Sequence, residues 1–146
     1  MKKLLLTFLM VIPAYSYAGF SLGYSSLDLD GEISLGGISG AYEWTNDSPF
    51  SLEAGVSLGL QDDDYEGVDV ELDRVVYLKG KYNVNDQFFV SLNYADISID
   101  LSQGSLSDSA SDSDTGFGVG FNVNKNFTIM FDSIEDVESL TFRYNF

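Results

Sequence analysis

At 146 residues the chain is sized for one domain, and its 45 % hydrophobic and 14 % aromatic content argues against a disordered, solvating polymer. Its net charge of −16, from 23 acidic against seven basic residues, argues against nucleic acid as a partner, since phosphate contacts need Lys and Arg. With no His and no Cys, the usual nucleophile–base pairs, disulfides and most metal sites are closed to it.

The chain opens on Lys2 and Lys3, an apolar run from Leu4 to Ile12, a break at Pro13, and small residues at Ser16 and Ala18. That is the pattern of a secretory signal peptide, residues 1–18, cleaved after Ala18. The run is too short to cross a bilayer as a helix, which takes roughly 20 residues. Residues 19–146 then form one domain with a net charge of −18.

From there alternation dominates. Phe20, Leu22 and Tyr24 share a face, opposed by Ser21, Gly23 and Ser25. The stretch Ile33 to Trp44 breaks parity at Gly36-Gly37, and a bulge there would bring Ile33 and Leu35 onto the face of Ile38, Tyr42 and Trp44. Phe50 to Leu60 alternates cleanly, and Val70, Leu72, Val76, Leu78 and Tyr82 fall on one face. Phe88 to Tyr94, Phe117 to Val123, Phe127 to Phe131 and Leu140 to Phe146 complete eight strand-length runs.

The connections alternate in kind. Trp44/Phe50, Tyr82/Phe88 and Phe121/Phe127 each enclose five turn-type residues, at spacings of 38 and 39 residues. The repeat unit is two strands, which favours an up-and-down meander over a propeller with four strands per blade. The other four connections, Asp28–Glu32, Gln61–Asp69, Asp96–Asp114 and Asp132–Glu138, hold 17 of the 23 acids. They read as acidic loops at one end of the strands, the third a Ser/Asp low-complexity stretch.

Eight antiparallel strands of this length close into a barrel, which removes the edges. A soluble barrel would point its apolar face inward. Here the other face is small (Ser21, Gly23, Ser25; Gly116, Gly118, Gly120), which suits a crowded interior better than a solvated surface. Aromatics at the turn ends and unequal connections point the same way, to a transmembrane barrel. The chain resembles the small outer-membrane β-barrels of Gram-negative bacteria, of the OmpX/Ail and OmpA transmembrane-domain type. The resemblance implies that Leu140, Phe142, Tyr144 and Phe146 are the terminal signal read by the barrel assembly machinery.

The expected architecture is an all-β, eight-stranded antiparallel up-and-down transmembrane barrel, monomeric, set in outer-membrane lipid and lipopolysaccharide. Its lumen charge network is Glu53, Glu71, Asp73, Lys79, Lys81 and Arg143, with Glu53 opposite Tyr77 if Leu60 pairs with Val70. Its periplasmic aromatic girdle is Trp44, Phe50, Tyr82, Phe88, Phe121 and Phe127. Arg74 points outward toward lipopolysaccharide phosphates, unless a local bulge turns it in. Asp62, Asp64, Glu66, Gly67 and Asp73 only partly copy a calcium-loop spacing, so no metal, cofactor or catalytic residue is assigned. The role expected is structural or surface-interactive, presenting acidic loops outside the cell. The alternatives are a narrow gated pore and a soluble periplasmic β-barrel binding protein.

Overall fold

The computed structural model describes residues 17–29 and 31–146. The signal peptide expected over residues 1–18 lies, up to residue 16, outside the described residues. The strands are β1 (Tyr17–Leu29), β2 (Ile33–Thr45), β3 (Phe50–Gly59), β4 (Asp62–Tyr65), β5 (Val68–Asn83), β6 (Phe88–Gln103), β7 (Leu106–Asn122), β8 (Phe127–Ile134) and β9 (Val137–Asn145). Each pairs antiparallel with its neighbour in sequence except β3 and β4, which do not pair; β1 pairs with β9 and β3 with β5. β3 and β4 are therefore two pieces of one stave, and the barrel closes with eight.

The outer wall is apolar and the inner wall polar. Phe20, Leu22, Ile38, Leu52, Leu78, Val90, Leu92, Phe117, Val119 and Phe142 are exposed, whereas Glu53, Lys79, Lys81, Asp132 and Arg143 are each at most 6 % exposed. In water this arrangement would be inside out; in lipid it is the only stable one. The inward glycines make room for bulky neighbours. A Cβ on Gly55 would lie 2.3 Å from the Tyr77 ring, and one on Gly120 would lie 1.9 Å from Phe89.

The pattern reverses toward the end opposite the short turns. There Leu27, Leu35, Val70, Leu72, Val75 and Ala95 are buried, with Ile97, Ile99, Ile134 and Val137 packed against them, in one apolar core. The apolar residues of β1, β2, β6 and β9 change side along the strand with no break in register. The bulge expected at Gly36-Gly37 is absent: Leu27 faces Leu35 and Tyr24 faces Ile38 in continuous pairing, with Leu35 inside and Ile38 outside. A bulge lies instead at Asp73, between Leu72 and Arg74. It puts Val70 and Leu72 inside but Val76, Leu78 and Tyr82 outside, splitting the face expected to be single.

Two of the expected loops are strand. The Ser/Asp run pairs residue for residue with β6, from Asp96–Ser113 to Gln103–Leu106, and Gly104 at φ 62° makes the turn. Gln61–Asp69 is largely the β4–β5 hairpin, closed by Glu66 and Gly67 at φ 54° and 83°, the pair of positive angles a type I′ turn requires. The first ten residues of β7 have no partner on the β8 side, because that ladder starts at Gly116. β4, the matching ends of β5 and β6 and this part of β7 thus form a standing sheet that rises past the β7–β8 ladder, with β4 still tied to β2 by the Ser34 N–H to Asp63. Its free edge is closed by its own aspartates: the backbone N–H groups of Ser109, Ser113 and Thr115 donate to Asp108, Asp112 and Asp114.

The three short turns repeat one device. Asn46, Asn85 and Asn124 each accept backbone N–H bonds two or three residues on. The turns are also tied to one another, by Asn83 N–H to the Pro49 carbonyl, Asn122 N–H to Gln87, and Asn145 N–H to Asn126.

Candidate functional site

The lumen has two storeys. Near the turns, β2, β3, β5, β8 and β9 aim six charged side chains at one another. Glu53 contacts Arg143 at 2.7 Å and Lys81 at 3.2 Å, and Lys81 also contacts Glu43 at 2.9 Å. Lys79 pairs with Asp132 at 2.5 Å, and Asn93 donates to the other Asp132 oxygen at 2.7 Å. Arg143 donates to the Tyr77 hydroxyl at 2.7 Å, and Lys81 lies 4.3 Å from the centre of the Phe89 ring. Three cations meet three anions, so the low-dielectric interior holds no uncompensated charge. Above this layer the apolar core fills the barrel. Between the two storeys is a cavity of only about 40 Å³.

Of the residues expected in the network, Glu53, Lys79, Lys81 and Arg143 are placed there. Glu71 and Asp73 are not: both are exposed on the outside, because the Asp73 bulge reverses the strand and gives the inner positions to Leu72 and Val70. The register of the third stave also differs. Glu53 lies opposite Lys79, and Tyr77 opposite Gly55, since Leu60 and Gln61 interrupt the stave and Val70 pairs with Asp63. Glu43 and Asp132 are members that the sequence reading missed. Asp132 was assigned to an acidic loop, yet it continues the inward alternation Thr128, Met130, Asp132; Glu43 sits between outward Tyr42 and Trp44.

The girdle residues all sit at the turn end, as stacked pairs across adjacent strands: Phe50–Tyr82 at 4.9 Å and Phe88–Phe121 at 4.8 Å, with Trp44 against Tyr42 at 4.9 Å. Phe127 packs on Tyr144, Tyr144 on Phe146, and Phe146 on Phe20, which carries the ring across the closing seam. Leu140 and Phe142 lie on the same outer face. Arg74 is outside, half-exposed, between Leu58 and Ser98 in the ladders and 3.4 Å from Asp73.

At the far end the standing sheet divides its acids between two faces. Asp62, Glu71 and Asp100 line up across β4, β5 and β6 on the outer face, with Asp64 and Asp69 in the next row. Asp108, Asp112 and Asp114 lie on the inner face, in register with Leu101, Ile97 and Ala95. Asp114 is held below the usual carboxylate range by the Thr115 N–H and by Glu135, while Glu135 is pushed up by the Asp114 carboxylate beside it. Among the described residues, no group of three or more acidic side chains is arranged to hold a metal ion. Residues 62–65, part of the calcium-like spacing, are β-strand rather than a liganding loop. No described helix is long and apolar enough to cross a membrane, which says nothing of strands.

The chain matches the family described as outer membrane protein beta-barrel domain over residues 9–135. Among solved structures it is similar to Ail, the attachment invasion locus protein of Yersinia pestis, at 18 % identity and a TM-score of 0.55, covering 90 % of this chain and 99 % of that one. It is also similar to the N-terminal barrel domain of Pseudomonas aeruginosa OprF, at 10 % identity and a TM-score of 0.55, covering 88 % and 97 %. Neisserial surface protein A aligns at 11 % identity and a TM-score of 0.50, covering 88 % and 96 %. No curated protein matches the chain by sequence.

Proposed function

Since this chain belongs to the outer-membrane β-barrel family, we propose that it is a sealed barrel whose working part is the acidic sheet beyond the membrane, facing the outside of the cell. The observation that carries this reading is the two-storey lumen. A charge-balanced layer capped by an apolar core leaves no path for solutes, so nothing favours the gated pore. What remains to interact is the standing sheet, with its edge closed by Asp108, Asp112 and Asp114 and its outer face lined by Asp62, Glu71 and Asp100.

The barrel wall meets outer-membrane lipid, and Arg74, at the upper margin of the apolar band, meets lipopolysaccharide phosphates. The barrel assembly machinery reads Leu140, Phe142, Tyr144 and Phe146 from the final strand. Ail has been crystallised with the heparin analogue sucrose octasulfate. The surface here has the opposite sign to what a polyanion needs, so this chain selects cationic partners. With no His or Cys to form a nucleophile–base pair, its role is non-catalytic.

The natural lack of cysteine allows a direct test. Ser105→Cys at the tip of the β6–β7 hairpin is expected to react with a membrane-impermeant maleimide on intact cells. Asn124→Cys in the third short turn is expected to react only after the outer membrane is opened. The reverse labelling pattern would place the acidic sheet in the periplasm and end the surface reading.

A further inference from the structure

The mouth of the barrel holds a cleft of about 400 Å³ between the free part of β7 and the β8–β9 turn. Its floor is aliphatic: Leu29, Ile97, Ile99, Ile134 and Val137. Its two walls carry carboxylates, Asp112 and Asp114 on β7 and Glu135 and Asp136 in the turn. Among the described residues the cleft has no basic side chain in its lining. We infer that it binds an organic amine, with the ammonium head between the two walls and an aliphatic or aryl-alkyl body on the floor.

Three considerations select this class. An apolar floor gives a metal ion nothing, and the acids are not grouped to chelate one. An anionic or neutral lipid chain would suit the floor but not four carboxylates. A cleft this size takes a small molecule and not a folded surface. The two walls also crowd like charges: Asp114 is fixed by the Thr115 N–H and held below the usual carboxylate range, and its charge pushes Glu135 up. Glu135 is faced by Asp114 and Asp112 from β7 and by Asp136 in its own turn, while the cleft residues of β1, β6 and β9 carry no charge. An ammonium group entering there favours the ionised form of Glu135, so binding strengthens as pH rises through the range in which Glu135 loses its proton. This inference deepens the surface reading, and testing it on purified protein separates its failure from any error in how the chain faces.

The experiment is a titration of the isotope-labelled, folded barrel in zwitterionic micelles with 4-phenylbutylamine, 4-phenylbutanol and 4-phenylbutyrate, followed by amide chemical shifts. The amine is expected to give saturable shifts confined to Ile97, Ala110, Ile134 and Val137, with the alcohol about tenfold weaker and the acid without effect. Asp114→Asn with Glu135→Gln should reduce the amine to the alcohol's level, whereas lowering the pH from about 8 to about 5 should weaken it only in part, because Asp114 keeps its charge there. Asp62→Asn with Glu71→Gln, on the outer face, should leave its affinity unchanged. Equal binding of amine and alcohol, an equal loss in the outer-face variant, or the absence of saturable shifts would each overturn the assignment.

Discussion

Glu53→Gln is the sharpest test of the lumen. Glu53 is 1 % exposed and holds both Arg143 and Lys81. Removing its charge leaves three cations against Glu43 and Asp132. Lys81 keeps Glu43 at 2.9 Å, but Arg143 keeps only the Tyr77 hydroxyl, a neutral acceptor. Breaking one side of a buried pair costs about 3–5 kcal/mol, and the retained amide oxygen puts this case near the lower figure, about 3 kcal/mol. The double variant Glu53→Gln/Arg143→Met restores the charge balance, with Lys79 and Lys81 against Glu43 and Asp132, and should recover at least about 2 kcal/mol of that loss. Glu71→Gln serves as the control. On the sequence reading it would cost as much as Glu53→Gln; exposed on the outer face, it should stay within about 0.5 kcal/mol of wild type. The assay is equilibrium urea unfolding in micelles, followed by gel mobility and by fluorescence of Trp44, the chain's one tryptophan. A Glu53→Gln midpoint equal to that of Glu71→Gln, or a double variant no better than the single, would refute the network.

Three further outcomes are expected. Gly120→Ala drives a Cβ into the Phe89 ring and should destabilise by about 1–3 kcal/mol, whereas Gly80→Ala meets open space and should change the urea midpoint little. Lys79→Ala and wild type should both show negligible current in planar bilayers, because the apolar core sits above the charges; steady discrete conductance in either would show an open path. Glu135 should keep its proton to higher pH than an ordinary glutamate, and Asp114→Asn should return it toward the usual range when its side-chain carbon shift is followed through the titration. The sign follows from the directions: the depressed Asp114 favours the fold above its unfolded value and loses that as pH falls through its folded one, while the raised Glu135 favours the fold on the acid side, so the two act in opposite senses.

The barrel was legible in the sequence because lipid-facing strands advertise themselves: Leu140 to Phe146 alternates without exception, and Phe88 to Tyr94 with the single inward apolar residue Phe89. Glu53, Lys79, Lys81 and Arg143 were legible for the same reason, as charges on the opposite parity. What failed was the assumption that each strand has one apolar face throughout. Ile33 and Leu35, or Val70 and Leu72, face inward because beyond the membrane water lies outside the barrel, and there the ordinary soluble pattern returns. A change of apolar side within a strand therefore has two causes. In β2 it is a change of surroundings at constant register, and in β5 a bulge does the shifting instead. Composition misled as well. "SDSASDSD" reads as a low-complexity acidic loop until one sees β6 pairing it on one side and its own carboxylates closing the other.

The apolar outer stripe has consequences for the lipids around it. On the third stave it runs from Phe50 to Leu60, the residue just past β3, ten residue steps, or about 25 Å along the membrane normal for strands rising ~3.3 Å per residue at a tilt of ~40°. On β6 it runs from Phe88 to Tyr94, six steps, or roughly 15 Å by the same reckoning. The collar is thus of normal height on one side and short on the other. Lipid chains beside β6 must compress, or the molecule must lean until the deficit is shared, at a fraction of a kcal/mol per ångström. Two such barrels reduce that distortion by bringing their thin sides together, so crowding in the membrane gives this protein a preferred flank even where no side chains of the two copies touch.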